Sequence, residues 1–164
     1  MANASRHSVA KVRFAAQLLD KTDFLMVQET HATPADFEML GLELHGALSA
    51  HACLSNTAGG VATFIRAEVA RHFPIISNTI LAEGRVLAVH LSNENDHLHF
   101  INLHLEPQAS LRTCKDRLGA VLAYANAHPG HSIIIGGDFN FPAAGEGRLN
   151  LENFDANVDF KSEI

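Results

Sequence analysis

The sequence predicts an α/β fold, a mixed sheet flanked by helices, and three observations carry that expectation. Segments with helical and with strand-like spacing alternate along the chain. The continuous β-branched run Ile133-Ile134-Ile135 has the character of a strand covered on both faces. A length of 164 residues with 47% apolar content suffices for one domain with a substantial core.

Each element follows in order. Over residues 8–19, Val9, Val12, Ala16 and Leu19 recur at helical spacing, with Arg6, Lys11 and Arg13 among the polar positions. Residues 23–28 form a short apolar run of strand length. Thr33 and Pro34 supply an N-cap and a first-turn proline for a short helix reaching Leu40. Gly59 and Gly60 precede a strand over 61–65. Two β-rich runs, 85–91 and 98–104, flank a polar interval at 92–97 and read as a hairpin. Ser110 caps a helix running to about His128, with Leu111, Leu118, Val121, Leu122 and Ala125 on its buried side; Pro129 and Gly130 end it. The isoleucine-rich strand then closes at Gly136. Beyond Pro142, Glu146, Glu152, Asp155, Asp159 and Glu163 outnumber Arg148 and Lys161, and the periodicity fades. The expected division is a folded unit over 1–142 and an acidic loop or unfinished segment over 143–164.

Composition narrows the function classes. A net charge of −6 is a poor match for gripping nucleic acid by bulk electrostatics. It is compatible with an enzyme that meets phosphate through a bound cation, because such a cation needs acidic ligands. No segment is long and apolar enough to cross a bilayer. The first residues, Met1 to His7, run into an amphipathic stretch rather than a signal core. An intracellular protein, nuclear or cytoplasmic and not secreted, is therefore expected, and the sequon at Asn3 to Ser5 reads as a chance match. Cys53 and Cys114 form no close pair, as for free thiols in a reducing compartment. His97 and His99 put two imidazoles on one strand face, a candidate zinc pair that no nearby cysteine or third ligand completes.

The residues that carry chemistry lie at strand ends. Gly136 and Gly137 allow a sharp turn or a close backbone approach, and Asp138 and Asn140 follow at i, i+2. In extended geometry both point to one side and reach a single metal ion or phosphate. Glu29 closes the run at 23–28, and Asn102 and His104 share a face at the end of another strand. Glu29 and Asp138 are hard carboxylate ligands suited to magnesium or manganese; His104 and the two asparagines are donors for phosphate oxygens. Together they suit phosphoryl transfer. Taken singly, each has an ordinary structural reading: a strand-end acid, a satisfied turn amide, a backbone-bonded histidine.

In this order the blocks Gln28-Glu29-Thr30, Gly59-Gly60-Val61-Ala62, Asn102-Leu103-His104-Leu105 and Gly136-Gly137-Asp138-Phe139-Asn140 resemble the endonuclease/exonuclease/phosphatase superfamily over about residues 23–142. The runs around Glu29 and after Asp138 look most similar to its non-LTR retrotransposon endonucleases. The resemblance implies a deoxyribonuclease-like α/β sandwich of mixed sheets flanked by helices, partial here, lacking the first strand and the C-terminal part. It implies Glu29 as ligand of a Mg2+ ion, with Mn2+ as substitute. Asp138 would activate the nucleophile and Asn140 would hold the scissile phosphate. His104 would stabilise the transition state, with Asn102 supporting it and binding phosphate; Asn3 stands as a remnant phosphate ligand of the absent strand. The family's closing Ser-Asp-His motif does not occur in the sequence. The expected function is metal-dependent phosphodiester hydrolysis, foremost endonucleolytic DNA cleavage of retrotransposon type, weak or absent in this chain alone, with DNA as substrate and a reverse transcriptase fused in the parent. The alternatives are a phosphatase acting on lipid or soluble phosphate esters, and a degenerate remnant without catalysis.

Overall fold

Residues 14–37, 48–55 and 57–140 are described by the structure, a computed structural model. Among the described residues, seven strands form two sheets. β1 (Phe24–Gln28) and β2 (Leu48–Ala52) both pair antiparallel with β3 (Val61–Ile65), giving the order β1-β3-β2. After the single-turn α1 (Ala67–Ala70), β4 (Ile75–Ala82), β5 (Val86–Ser92) and β6 (His97–His104) run as an antiparallel meander. α2 (Leu111–Asn126) then returns the chain so that β7 (Ser132–Asp138) lies parallel to β6, completing the order β4-β5-β6-β7.

Alternation along the strands sorts side chains into three apolar layers. Leu87, Val89 and Leu91 of β5 and Phe100 of β6 meet Val61 and Ile65 of β3 between the sheets. Phe24 of β1 stacks on Phe100 across that gap, with ring centroids 3.9 Å apart. Val86, Ala88, Ile101 and Leu103 face the other way, onto Cys114 and Val121 of α2. Ala62 and Phe64 of β3 pack against Leu19 of the helical segment at 14–19 and against Phe37. The result is a mixed α/β sandwich with helices outside both sheets. Each fully buried Leu, Ile or Val in the inter-sheet layer contributes about 1.5–3 kcal/mol, so β3 and β5, buried along most of their lengths, anchor the fold.

Most expected elements form where the pattern puts them. Ser110 caps α2 by accepting a hydrogen bond from the Thr113 backbone N–H, and the interval at 92–97 is the turn of the β5–β6 hairpin, closed by the Asn93 side chain on the N–H groups of Asn95 and Asp96. Other expectations are corrected. β2, α1 and β4 have no counterpart in the sequence reading: alanine and histidine dilute β2, and Ser77-Asn78-Thr79 interrupts β4. Leu122 is 52% exposed rather than on the buried side of α2, where Cys114 and Val121 do the packing. β7 is not covered on both faces: Ile134 and Ile135 are 48% and 46% exposed, because β7 is the edge of its sheet and only β6 flanks it among the described residues. Asn3, the expected helix before residue 14, the end of the short helix at 38–40 and the segment 143–164 lie outside the described residues.

Candidate functional site

The parallel pairing of β6 with β7 brings two carboxyl ends together. His104 and Asp138 are register partners, and the Leu105 N–H donates to the Asp138 carbonyl at 2.9 Å. Gly137 makes this approach possible: at φ +140 an added Cβ would lie 1.9 Å from the Leu103 carbonyl oxygen. Gly136 and Gly137 therefore serve close approach inside the strand, not a turn. The turn comes at Asn140, whose φ is 45 and whose N–H donates to Asp138 Oδ1 at 3.0 Å. Its Nδ2 donates to the Leu105 carbonyl at 2.6 Å. Asn140 thus leaves the extended conformation that would align it with Asp138, yet stays against the end of β6.

β1 reaches the same end through Asn102. That side chain, fully buried at the sheet interface, donates from Nδ2 to the carbonyls of Val27 (3.2 Å) and Ala62 (2.8 Å) and accepts at Oδ1 from Gln28 Nε2 (2.7 Å). Its amide hydrogens are both committed to protein carbonyls, which makes it a staple between sheets beneath the site. Just past β1, Thr30 and His31 donate to the carbonyls of Gly60 and Gly59. Gly60 allows the approach, since an added Cβ would lie 2.2 Å from Thr30 Oγ1. Glu29 adopts φ 52, an uncommon conformation for a side-chain-bearing residue, and its carboxylate is thereby held over the end of β6.

Glu29 Oε1 lies 2.9 Å from His104 Nδ1 and 3.0 Å from Arg85 Nη1, while Oε2 meets His31 Nε2. Arg85 is the centre of the network. Nearly buried, it also places Nη1 2.6 Å from His104 Nδ1 and Nη2 2.8 Å from Glu106 Oε1; Glu106 in turn binds Arg117 at 2.6 Å. An arginine can only donate, so His104 Nδ1 accepts, and a neutral His104 carries its proton on Nε2. Burial pushes the His104 pKa down and outweighs the attraction of Glu29, with Arg85 reinforcing the neutral form. For Glu29, burial pulls upward, but the hydrogen bonds from His31 and Arg85 prevail and hold the carboxyl below its ordinary value. Arg85 and Glu106 were not singled out from sequence; a charged Arg85 at the head of an otherwise apolar strand was the available signal.

The end of the sandwich therefore gathers Glu29, Asn102, His104, Asp138 and Asn140, with Arg85 beneath. The donor set suits a hard cation: Glu29 is 44% exposed along its side chain, and the partner of its Oε2, His31, faces solvent.

A second group of titratable residues occupies the other end of the same sheet. One nitrogen from each of His90, His97 and His131 lies within 4.8 Å of the others, an arrangement capable of coordinating a divalent metal ion. His99 sits behind them and is pushed down to about 4, by burial first and then by the surrounding histidines. The zinc pair expected at His97 and His99 is thus redrawn: His97 finds its partners at 90 and 131, and His99 supports them.

The sequence matches the profile of the Endonuclease/Exonuclease/phosphatase family over residues 2–157. No curated protein matches it. Among solved structures, it is similar to a humanized D. rerio TDP2 (TM-score 0.58, 18% identity, 85% of this chain and 58% of that one). A mannosyl-6-phosphatase from Bacteroides thetaiotaomicron is also similar (TM-score 0.59, 14% identity, 97% and 66%). So is the endonuclease domain of TRAS1, a telomere-specific non-LTR retrotransposon (TM-score 0.57, 12% identity, 90% and 61%). At these identities the likeness is one of fold, and it favours no branch. The chain spans 58% of the D. rerio TDP2 chain and 49% of a Leishmania major AP endonuclease.

Proposed function

Because the chain belongs to the endonuclease/exonuclease/phosphatase family, we propose that the end of the sandwich bearing Glu29, His104, Asp138 and Asn140 hydrolyses phosphodiesters, with DNA as the substrate. The observation that carries this reading is the convergence of β1, β6 and β7 on one network, with Arg85 Nη1 donating to both His104 Nδ1 (2.6 Å) and Glu29 Oε1 (3.0 Å) and His104 in register with Asp138.

The chain's own groups divide the work. Asp138 Oδ1 takes one hydrogen bond from the Asn140 N–H, leaving carboxylate lone pairs to orient and accept a proton from an attacking water. His104, kept neutral with Nδ1 turned to Arg85, presents Nε2–H to a phosphoryl oxygen as negative charge develops there. Asn140 stands beside Asp138, its side-chain amide bonded to the Leu105 carbonyl. Asn102 acts from below, holding the ends of β1 and β3 to β6 rather than touching phosphate. Glu29, with Asp138 nearby, would hold a magnesium or manganese ion, which supplies Lewis-acid stabilisation of phosphate oxygens. Arg85 is a positioning residue that fixes the Glu29 carboxylate and the His104 tautomer together.

Nicking of supercoiled plasmid with enzyme in excess, in Mg2+ or Mn2+, tests the reading. Asp138→Asn and His104→Ala should each lower the rate about 100-fold or more, with folding checked by circular dichroism. Cleavage unaffected by either substitution would overturn it. The net charge of −6 favours a second reading, a phosphatase on small or lipid phosphate esters. Soluble sugar and inositol phosphates in the same assay separate the two.

A further inference from the structure

We propose that His90, His97 and His131 form a binding site for a zinc-class ion that ties β5, β6 and the entry to β7 together, separate from the candidate hydrolytic site. His97 opens β6 and His104 closes it, so the two sites stand roughly 23 Å apart along one strand. An ion at the first takes no part in chemistry at the second.

The spacing of two of the three rings matches what such an ion demands. His90 Nε2 and His97 Nδ1 are 3.1 Å apart; two nitrogens bound to one tetrahedral ion at ~2.0–2.1 Å are separated by roughly 3.3 Å. Without an ion, two ring nitrogens this close must share one proton. With an ion, both lone pairs turn to it. His131 lies face to face on His97, with centroids 4.2 Å apart and planes within 7°; one of its nitrogens is within 4.8 Å of the other two, and with an ion bound its ring turns out of the stack to aim an in-plane lone pair at the shared ion. His97 is exposed and His90 and His131 are half-buried, so a fourth position is open to water.

Behind the three rings lies a relay that orients one of them. His131 Nδ1 is 2.8 Å from His99 Nε2, and His99 Nδ1 is 3.0 Å from the Tyr124 hydroxyl. When His131 donates its Nδ1–H to His99, and His99 donates onward to Tyr124, the lone pair of His131 is fixed on Nε2. A metal-binding imidazole characteristically has its second nitrogen held in this way. His128 closes the shell by donating Nδ1–H to the Tyr124 carbonyl at 2.8 Å.

The donor set also selects the metal. Three neutral imidazoles with no carboxylate suit Zn2+, Co2+, Ni2+ or Cu2+ and are poor ligands for Mg2+, which prefers oxygen. The strands being joined are His90 on β5, paired with His99 of β6, and His131 beside Ser132, which pairs with Leu98. Bound metal thus cross-links three chain segments at the end of the sheet opposite Glu29.

Titration of the 164-residue chain with Co2+ reads the site directly through the visible absorption of a four-coordinate ion. With excess Mg2+ present to fill the oxygen-rich site at Glu29, we expect one Co2+ per chain at the histidines, displaced by an equivalent of Zn2+. His97→Ala, an exposed substitution whose melting in chelator should equal that of the wild type, should weaken binding at least tenfold. Tyr124→Phe, which removes the relay acceptor, should weaken it about tenfold. Glu29→Gln and the off-cluster His72→Ala should leave it unchanged, and Zn2+ should raise Tm in every protein except His97→Ala and His131→Ala. No Co2+ bound at micromolar concentration, binding retained in both His97→Ala and His131→Ala, or binding lost in Glu29→Gln would each overturn the assignment.

Discussion

Glu106 shows how much one carboxylate can organise. It binds Arg85 through one oxygen and Arg117 through the other. The hydrogen bond from Arg117 is the main reason its pKa falls below the ordinary value, against a contrary pull from burial. A depressed carboxyl stabilises the folded state above its unfolded pKa of about 4.3, and that contribution fades as pH drops through the folded value. Glu106→Gln should therefore cost about 1–2 kcal/mol at neutral pH. The gap between the two melting curves should close on acidification below about pH 4; a gap that persists there would mean that packing, not charge, holds the pair. Asn102 belongs to the same scale. Asn102→Ala removes three hydrogen bonds of a buried side chain, to the Val27 and Ala62 carbonyls and from Gln28, and should cost about 2–4 kcal/mol by denaturant titration.

At the scale of elements, β7 combines a tight spot with an open one. Gly137→Ala would drive a methyl group into the Leu103 carbonyl, so about 3 kcal/mol or more should be lost, with β6 and β7 forced apart at the candidate site. Gly136 meets only the flexible end of Met26, and the alanine variant there should be much milder. A comparison of the two melts checks this. The elements read from sequence were those with one dominant signal: the periodic face and serine cap of α2, the paired apolar runs of β5 and β6, and the isoleucines of β7. β2 and β4 escaped because pairing with a neighbouring strand, not composition, makes them strands. The site was partly legible for the same reason. Glu29, His104 and Asp138 stand at strand ends, where position in a run indicates position in space. Arg85 and the ring of His90, His97 and His131 come together only through pairing across strands, and no local window contains that information.

At the scale of the molecule, Ile134 and Ile135 stand exposed on what is an edge strand among the described residues. Unpaired backbone beside apolar side chains invites association with another chain. Ile134→Lys combined with Ile135→Lys should leave Tm within about 1 kcal/mol equivalent and reduce concentration-dependent light scattering. Unchanged scattering would show that this edge is not the sticky surface. The two ends of the four-stranded sheet, in contrast, are polar and chemically unlike: carboxylates and arginines at one, imidazoles at the other.

The Asn102 staple also has a consequence in time. Its three hydrogen bonds join residues 74, 75 and 40 positions away, whereas the β5–β6 hairpin closes over a short turn. Contacts across such long loops form after local ones, because the chain must first be brought together. The β4–β5–β6 meander should assemble early, and the three-stranded sheet should lock onto it last. Removing the Asn102 amide should then steepen the escape from the native state while hardly slowing entry to it. In a stopped-flow chevron the unfolding limb should rise and the refolding limb should stay in place.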